Sequence, residues 1–386
     1  MLKSLKSIFL GVTLAGLTCI VQSGEPTRKL TSKHDPVVLR FSTIGDSRQD
    51  PINFDSSVGT LSTEDKIWLQ NSRAWSRILR EVADQKSKLL FFNGDMIMGY
   101  GKAGPTPSNS VEDVVRSDLM AFYKQYAYWR GMSSTLMASG TYVVPVAGNH
   151  EVQSKAAGKK AQVENENAWR DNMGDLIIDS HRFKTIVGKE ATNINVKNNA
   201  AEDDLTTDQS QLSYSFDVED AHFAVINTDP VGNDNVAPTA WLAADLNLAK
   251  TRGAKHMFVF GHKPAFTYVY QKRPTTAETS GLDKFAAKRD AFWDVVEQFG
   301  ATYFCGHEHM FNMMQPRGAA WQVLVGTAGS PWDAKPGEQT LNPASDRSYI
   351  WATIDIHKSG SVNISAWGFD ENFGKTKLFR RINIVH

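Results

Sequence analysis

The stretch ATYFCGHEH, residues 301–309, joins an apolar run to a polar turn, and this combination indicates the type of fold. The apolar half is typical of a buried strand. The polar half places His307 and His309 one residue apart, directly behind Gly306. If this half is extended, residues two apart point to the same side, so both imidazoles face one spot while Glu308 faces away. Such a pair suits a metal ion, although His-x-His also occurs by chance.

The same combination recurs four more times along the chain. An apolar run is followed by a glycine and then by polar residues in IGDSR (44–48), NGDM (93–96), AGNHE (147–151) and FGHKP (260–264). Helical patterns lie between these runs, such as the apolar stripe of residues 62–85. Alternating strands and helices predict an α/β fold with a largely parallel inner sheet, and the carboxyl ends of such strands share one rim. We therefore expect the five polar turns to converge.

The chain after residue 320 follows a different pattern, with strands joined by turns and no intervening helices. We expect these strands to extend the first sheet or pack on it, which predicts a two-sheet sandwich flanked by helices. Residues 24–386 then form a single domain. Within it, residues 152–210 are polar with little apolar periodicity. A segment of this kind is either a lid or mobile loop with a function, or a tolerated surface insertion.

The first 23 residues have the features of a signal peptide. Lys3 and Lys6 give a basic start, residues 8–21 are apolar, and Val-Gln-Ser at 21–23 has the small-x-small pattern of a cleavage site. The apolar run is short for a bilayer-spanning helix, and the alternative is an uncleaved membrane anchor. We predict cleavage after Ser23 and export to the periplasm or the medium, without stable membrane insertion.

Composition excludes one class of partner. Lysine and arginine together number 42 and are balanced by 42 acidic residues, so no long-range field attracts nucleic acid. The composition does not indicate an oligomeric state. After cleavage one cysteine remains, Cys305, which cannot form an internal disulfide and which we expect to be a buried, inert thiol.

The five polar turns carry six candidate metal ligands. They are Asp46, Asp95, Asn149, His262, His307 and His309. Carboxylate, amide and imidazole ligands together suit Mn, Fe or Zn, and six exceed what one ion in an open catalytic site needs. Two ions that share a bridging carboxylate would use all six, bind a hydroxide and clamp the oxygens of an in-line displacement at phosphorus. The pattern therefore predicts phosphoester hydrolysis. The other histidines, His222 and His256 among them, are assigned no role.

The order and spacing of these motifs over residues 40–330 resemble those of the calcineurin-like metallophosphoesterases, a superfamily that includes purple acid phosphatases and cyclic-nucleotide phosphodiesterases. The stretch SYSFDVEDAHFAVINTD, residues 213–229, is also similar to a strand pair between the family's motifs. The resemblance implies that Asp95 bridges two metal ions. It assigns the remaining ligands to the two ions as Asp46 and His309 for the first, and Asn149, His262 and His307 for the second.

The resemblance also implies roles for the two residues after Asn149. His150 would protonate the leaving-group oxygen or bind phosphate, and Glu151 would orient it. An imidazole held near an anion and a carboxylate would stay protonated to higher pH, as a general acid requires.

The sequence departs from the family pattern at two positions. Most members have Asp-x-His in the first motif, whereas this chain has Arg48 in place of the histidine. A guanidinium cannot ligate a cation, so Arg48 either grips a phosphate oxygen or pairs with Asp46 or Asp50. Purple acid phosphatases place a tyrosine ligand where Met98 stands, and Tyr100 is a weak substitute. We therefore expect a loosely bound first ion and no coloured iron–tyrosinate centre.

The sequence predicts an exported metallophosphoesterase that hydrolyses phosphate mono- or diesters of small molecules. It would use two divalent or mixed-valence ions, Mn, Fe or Zn, with His150 as general acid. Arg48 and Lys263 near the rim would favour an additional anionic oxygen, as in monoesters. Two alternatives stay open: a metal-binding protein with a degraded, non-hydrolytic site, and a mononuclear phosphodiesterase. The loops expected to select the substrate are 99–109, 152–210 and 265–282.

Overall fold

The computed structural model describes residues 35–51, 63–196, 201–268, 280–333 and 345–384, with side chains in the first helix described from residue 71. Two β-sheets pack face to face, and helices cover their outer faces. This is the sandwich that the sequence predicts, and the polar turns lie at the carboxyl ends of its parallel strands.

The first sheet has six strands within the described residues. In sheet order they are β15 (Lys377–Ile384), β14 (Val362–Asp370), β13 (Ser348–His357), β1 (Val37–Ile44), β2 (Leu89–Asn93) and β3 (Tyr142–Val146). Strands β1, β2 and β3 are parallel, and β13 adds to β1 in the antiparallel direction. The last three strands of the chain therefore extend the first sheet, as expected. Pro145 lies in β3, where an edge strand tolerates the missing N–H group.

The second sheet has seven strands within the described residues. In sheet order they are β11 (Phe311–Met314), β12 (Gln322–Val325), β10 (Thr302–Cys305), β9 (His256–Phe260), β8 (Ala221–Val225), β7 (Tyr214–Val218) and β6 (Thr192–Asn195). The four from β12 to β8 are parallel. Strands β7 and β8 form an antiparallel hairpin, which is the strand pair expected at residues 213–229.

Eight α-helices lie among the described residues. They are α1 (Thr63–Asp84), α2 (Val111–Val115), α3 (Asp118–Ala138), α4 (Asn149–Val152), α5 (Val163–Met173), α6 (Ser180–Val187), α7 (Thr239–Thr251) and α8 (Ala286–Gln298). The sequence predicts one helix over residues 111–129, and this is wrong. The chain breaks at Arg116, and the Ser117 hydroxyl accepts the N–H of Met120 at 3.3 Å. Serine is a favourable N-cap, so a new helix starts there.

Phenylalanines fill the space between the two sheets. They are Phe41, Phe91, Phe223, Phe258, Phe260 and Phe304, all buried. The ring of Phe41 lies 5.0 Å from that of Phe258, and Phe91 stacks on Phe260 with 3.7 Å between centroids. Each of these pairs joins one sheet to the other. Burial of one such side chain contributes about 1.5–3 kcal/mol to stability. This aromatic layer therefore fixes the strand ends of one sheet relative to those of the other.

Helices cover the outer faces through further aromatic contacts. Trp75 of α1 and Trp129 of α3 pack on Phe92 of β2, with centroid distances of 4.9 and 5.1 Å. On the other sheet, Phe292 of α8 packs on Tyr303 of β10 at 5.1 Å. The buried stripe of α1 includes Ala74, Trp75, Ile78, Leu79 and Val82, as the helical pattern predicts.

The segment 152–210 contains regular elements that the sequence does not reveal. A short hairpin of β4 (Gln153–Ser154) and β5 (Lys160–Ala161) is followed by α5 and α6. The buried indole of Trp169 in α5 donates to the carbonyl of Gln211 at 3.0 Å. A few buried residues, rather than a periodic stripe, therefore anchor the segment, which explains why periodicity misses it. Its function as a lid stays a prediction.

The predicted signal peptide, residues 1–23, lies outside the described residues. Among the residues that are described, no helix combines the length and apolarity needed to cross a membrane. Cys305 is buried at the end of β10, and burial raises the pKa of its thiol well above the usual value. That finding agrees with an inert thiol.

Candidate metal centre

The polar turns after β1, β2, β3, β9 and β10 meet at one rim of the sandwich. The six candidate ligands they carry lie together there: Asp46, Asp95, Asn149, His262, His307 and His309. All are buried except His307, which is partly exposed. Contacts connect them across the two sheets, such as the hydrogen bond from the backbone N–H of His307 to the Asp46 carboxylate at 2.9 Å.

One group of potential ligand atoms comes from Asp46, Asp95 and His309, and these atoms lie within 4.8 Å of one another. His309 Nε2 is 3.7 Å from Asp46 Oδ1. The other ring nitrogen, Nδ1, donates to the carbonyl of Pro331 at 2.6 Å. Because the hydrogen is on Nδ1, Nε2 presents a lone pair to the carboxylates. This nitrogen is buried and has no hydrogen-bond partner among the described residues.

A second group comes from Asp95, His262 and His307. The Nδ1–H of His262 donates to the carbonyl of Asn93 at 2.7 Å, so its Nε2 presents a lone pair. That nitrogen lies 2.8 Å from the side-chain oxygen of Asn149 and 3.2 Å from Asp95 Oδ1. His307 Nδ1 lies 2.7 Å from the same Asn149 oxygen. The amide of Asn149 therefore belongs to this group.

Both groups bring together acceptor atoms that repel one another. The lone pair of His262 Nε2 faces an amide oxygen and a carboxylate oxygen, and that of His309 Nε2 faces Asp46. Metal-ligating histidines are typically oriented by a hydrogen bond from the outer ring nitrogen, as here. A cation placed among each set of acceptors would convert this repulsion into attraction. The residues therefore fit two metal ions, and Asp95 belongs to both groups, as a bridging ligand would.

Burial keeps the ligand imidazoles neutral. It lowers the pKa of His262, and it lowers the pKa values of His307 and His309 well below the usual value. Metal binding requires the neutral form of imidazole, so these ligands need not lose a proton at pH 7.

Asp46 and Asp95 carry the negative charge of the centre. Burial, together with the neighbouring Asp95, raises the pKa of Asp46 well above its usual value. Burial also acts to raise the pKa of Asp95, but His150, His262 and Arg48 outweigh it and hold that pKa below its usual range. Because burial lowers the pKa of both His150 and His262, Arg48 is the positive charge that persists at pH 7. Two buried carboxylates beside one arginine favour the binding of cations.

Three of the ligands have left-handed backbone conformations. Their φ angles are 68° for Asp46, 55° for Asp95 and 73° for His307. Such a conformation costs a non-glycine residue roughly 1–2 kcal/mol, and residues that adopt it are enriched at functional sites. His307 thus lies in a turn, and the extended His-x-His geometry considered from the sequence is wrong. Glu308 does face away, and its carboxylate accepts the N–H of Tyr268 at 2.7 Å.

Two glycines let neighbouring strand ends approach each other. A Cβ atom on Gly94 would lie 2.5 Å from His262 Nδ1, and one on Gly306 would collide with the Asp46 carboxylate. The glycines of the motifs therefore matter for close approach across the rim as well as for turning the chain.

Arg48 lies beside Asp95, which is neither of the partners considered from the sequence. Its Nε and Nη2 atoms are each 3.4 Å from Asp95 Oδ2. These are long contacts for hydrogen bonds. The side chain is 21% exposed, so solvent and a ligand can reach it.

His150 lies in the same buried space. Its Nδ1–H donates to the carbonyl of Met98 at 2.5 Å, and Nε2 lies 3.6 Å from Asp95 Oδ2. Burial, with a contribution from the charge of Arg48, lowers the pKa of His150 to about 3, against the attraction of Asp95. Without an anion beside it, this imidazole is therefore neutral at pH 7, and the expectation that an anion keeps it protonated to higher pH stays a prediction. Its neutral ring presents the Nε2 lone pair to the site.

Glu151 stabilises the backbone of the turns after β2 and β3. Its carboxylate accepts four backbone N–H groups, from Asp95 (2.9 Å), Met96 (2.8 Å), Ile97 (3.1 Å) and Gly148 (2.7 Å). The expected contact was with the His150 ring, whereas these contacts are with the turns on either side of it. Glu151 therefore orients His150 and Asp95 through the backbone.

Tyr100, only a weak candidate from the sequence, supports two site residues. Its hydroxyl accepts the side-chain N–H of Asn149, which turns the amide oxygen toward His262. Its ring packs on that of His150, with 3.9 Å between centroids. Burial raises the pKa of Tyr100, so the hydroxyl stays protonated.

Sequence reasoning missed Asn93 at the end of β2. Its side chain accepts the hydroxyl of Thr43 at 3.0 Å and donates to the carbonyl of Cys305 at 3.3 Å, while its own carbonyl holds His262. One residue thus joins three strand ends. An asparagine that closes the buried run LLFFN is the signal that could have identified it.

Lys263 is not a free cation at the rim. It is buried, and its Nζ donates to Asp229 Oδ1 and Asn235 Oδ1, both at 2.6 Å. The expectation that it attracts an anionic oxygen is therefore wrong, because Asp229 already neutralises it.

The profile of the calcineurin-like phosphoesterases matches residues 68–311, which is more than half of the chain. The chain belongs to the calcineurin-like phosphoesterase family. The motifs of the sequence resemble the same family. A comparison with curated proteins finds no match.

Two solved structures are among those that match the chain. A purple acid phosphatase from yellow lupin (Lupinus luteus) seeds is 11% identical, with a TM-score of 0.53 over 89% of this chain and 53% of that one. The chain thus spans about half the length of the lupin enzyme. A dimetal phosphatase from Danio rerio is 12% identical, with a TM-score of 0.49 over 89% of this chain and 99% of that one. At such identities the lupin likeness supports the fold alone.

Proposed function

We propose that this phosphoesterase is exported and hydrolyses small phosphate monoesters at a centre of two cations. The observation that carries the proposal is the membership of Asp95 in both groups of ligand atoms. A monoester is favoured because Arg48 adds a partly exposed positive charge at the rim, and a monoester carries one more negative charge than a diester.

The ligand atoms divide between the two cations. One would be held by Asp46, Asp95 and His309, and the other by Asp95, Asn149, His262 and His307. This mixture of ligands suits Mn, Fe or Zn. When bound, such a pair acidifies a coordinated water and neutralises charge on the phosphoryl oxygens.

His150 acts on the proton of the leaving oxygen. Nε2 is the atom available for this, because Nδ1 is held by the carbonyl of Met98. The ring is neutral in the free protein, so an anionic phosphate beside it must raise the pKa before Nε2 can donate a proton. Tyr100 packs on the ring and keeps Nε2 aimed at the site.

Arg48 has two tasks in this proposal. In the free protein it keeps Asp95 ionised. With substrate bound, its guanidinium turns from the long 3.4 Å contact to a phosphoryl oxygen, which a planar donor grips well. The contact with Asp95 is weak, so little is lost when it breaks.

Export rests on the amino-terminal sequence. The basic start, the apolar run and the small-x-small pattern of residues 1–23 support a cleaved signal peptide. Edman sequencing of the protein secreted or released from its natural host would test this, with Gly24 expected as the first residue.

Hydrolysis and metal content, measured together, test the proposal. The substrates are an aryl phosphomonoester and the diester with the same leaving group. Wild type should contain two ions per chain and prefer the monoester in kcat/KM by at least about 10-fold. Asp95→Asn should lose both metal and activity, whereas His150→Gln should lose activity and keep the metal.

Two other outcomes would redirect the proposal. Hydrolysis with one ion per chain would indicate a mononuclear enzyme, which the replacement of the first motif's histidine by Arg48 favours. Bound metal without hydrolysis of any ester in a broad panel would indicate a metal-binding protein with a degraded site.

A further inference from the structure

A cavity of about 310 Å³ opens beside the second ligand group. Asn149, His307 and Tyr100 are among the residues that line it, so it adjoins both a metal-ligand group and the residue that supports Asn149. A volume of this size is in the range of small-molecule sites. The part of an ester that lies beyond the phosphoryl group can enter here.

Four lysines line the cavity, and they differ in whether their charge is already neutralised. Lys263 is buried against Asp229. Lys160 pairs with Asp234 at 3.5 Å. Within the described part of the chain, neither Lys159 nor Lys284 has a carboxylate at ion-pair distance, and no carboxylate is among the residues that line the cavity. Among the residues that the structure describes, Lys159 and Lys284 therefore contribute two positive charges to the cavity without a carboxylate partner.

These two lysines reach the cavity from two different segments of the chain. Lys159 is in the turn between β4 and β5, and the turn is fixed by the bond from its N–H to the carbonyl of Ser154 at 2.9 Å. The hairpin is tied down by Asp234, which accepts the N–H of Ala161 at 2.8 Å and the side chain of Gln153 at 3.0 Å. The lysine is thus carried by an anchored hairpin.

Lys284 belongs to the 3₁₀ turn Leu282–Phe285. The same segment supplies Ser280, whose hydroxyl lies 3.0 Å from His307 Nε2. The hydroxyl of Thr267 donates to Asp283 at 2.6 Å and anchors the turn. One segment therefore holds a metal ligand and presents a lysine to the same cavity.

We infer that this cavity is a second anion subsite, which selects phosphate esters whose alcohol part carries another anionic group, such as a second phosphate. The inference rests on the proposed function, because the ester phosphate must lie at the metal ligands for the second group to reach Lys159 and Lys284. The anionic group supplies an ion-pair partner that neither lysine has within the described part of the chain.

The test compares butyl phosphate with butane-1,4-diol bisphosphate on the metal-loaded protein. After correction for two phosphates per molecule, kcat/KM for the bisphosphate should exceed that for butyl phosphate by roughly 10-fold at low salt, and the ratio should fall as salt screens the lysines. In the double variant Lys159→Gln/Lys284→Gln the ratio should fall below about 3.

Lys86→Gln is the matched control. Lys86 is exposed and has the same left-handed φ as Lys159, 58°, but it lies before β2 at the opposite end of the strand. Its substitution should leave the ratio unchanged. Calorimetric titration with butylphosphonate and butane-1,4-bisphosphonate supplies a readout that is independent of turnover.

The outcomes separate this inference from the proposed function. Hydrolysis with equal kcat/KM values and equal phosphonate dissociation constants would overturn the subsite and leave the phosphoesterase intact. Tighter binding of the bisphosphonate that depends on Lys159 and Lys284, without hydrolysis of either ester, would support the subsite and overturn the proposed reaction. A change in the ratio that Lys86→Gln also causes would overturn the subsite.

Discussion

Two clusters of buried histidines and carboxylates lie at opposite ends of the second sheet. One is the metal centre beyond the carboxyl ends of β9 and β10. The other, which we call the His222 cluster, consists of Asp217, His222, Asp245 and Arg252 and lies near the amino end of β8. Both contain acidic groups and imidazole rings that are almost fully buried. Only the first has the arrangement of a metal site.

The difference lies in what each ring nitrogen faces. In the His222 cluster Nδ1 lies 2.6 Å from Asp217 Oδ1 and Nε2 lies 2.9 Å from Asp245 Oδ2. Burial acts to lower the pKa of His222, but these two hydrogen bonds outweigh it and raise the pKa. A protonated imidazole with both N–H groups donating is a complete ion-pair network, and no lone pair is left for a cation.

In the metal centre one nitrogen of each ring is anchored and the other faces acceptors. His262 and His309 each donate from Nδ1 to a backbone carbonyl, and burial lowers the pKa of both. Contact between a histidine and an aspartate therefore does not by itself indicate a metal site. A histidine whose two ring nitrogens both donate to carboxylates belongs to a structural ion pair. A histidine that donates from one nitrogen to a backbone carbonyl, and whose other nitrogen faces further acceptor atoms, is a potential metal ligand.

The largest expected effect is on activity and metal content, and it should differ between an Asp→Asn substitution in the metal centre and one in the His222 cluster. Asp95→Asn should lower phosphoesterase activity by roughly 10³-fold or more, because it removes charge from both cation sites. Asp245→Asn should leave metal content and kcat unchanged while lowering stability. Plasma mass spectrometry and steady-state kinetics measure the first effect. Equal losses of metal in both variants would contradict the distinction.

The next effect concerns stability. His222→Gln should lower the free energy of unfolding by about 3 kcal/mol, because two buried carboxylates lose the cation between them. Urea denaturation measures this. His262→Gln is the control, since it should cost less stability in the metal-free protein and should abolish binding of the second ion. A stable His222→Gln protein would show that Arg252 compensates Asp217 and that the hydroxyl of Ser215 compensates Asp245 without the imidazole.

Arg48→His tests the departure from the family pattern. It replaces a guanidinium next to Asp95 with a neutral potential ligand. The first ion, which Asp46 and His309 would hold, should therefore bind roughly 10-fold more tightly. Competition with a chelator measures the dissociation constant. Arg48→Gln removes the charge without adding an imidazole and should give a smaller gain. If both variants bind the ion as wild type does, Arg48 does not weaken the first site.

The pH dependence of stability is the smallest expected effect. The pKa of His222 is raised on folding, so its contribution is complete below the unfolded value of 6.5 and is lost as pH rises through the folded pKa. The pKa of Asp217 is lowered, because hydrogen bonds and charge from His222 outweigh its burial, so its contribution is lost as pH falls through its folded value. The stability difference between wild type and His222→Gln should therefore shrink above pH 6.5. A difference that grows with pH would contradict the protonated ring.

Much of the rim could be predicted because each ligand follows a buried strand and a glycine, and the geometry of parallel strands then brings the ends together. That reasoning located Asp46, Asp95 and His262 without any knowledge of distances. It also placed Arg48 at the rim. Its partner could not be predicted, because the choice between carboxylates depends on the left-handed turns that carry Asp46 and Asp95.

Other features depend on contacts that a sequence does not display. Lys263 follows a metal ligand like a rim residue, yet Asp229, more than thirty residues earlier, neutralises it. Glu151 follows His150, yet its carboxylate binds backbone N–H groups that carry no sequence signal. The elements of 152–210 are similarly hidden, because single anchors such as Trp169 replace a periodic stripe.

Anomalous diffraction from crystals of the metal-loaded protein is the most direct test of the central claim, that two cations share Asp95. Two peaks are expected at roughly 3.5–4 Å from each other, one next to Asp46 and His309 and the other next to His262 and His307. The His222 cluster should show none. A single peak, or a peak between Asp217 and Asp245, would contradict the claim.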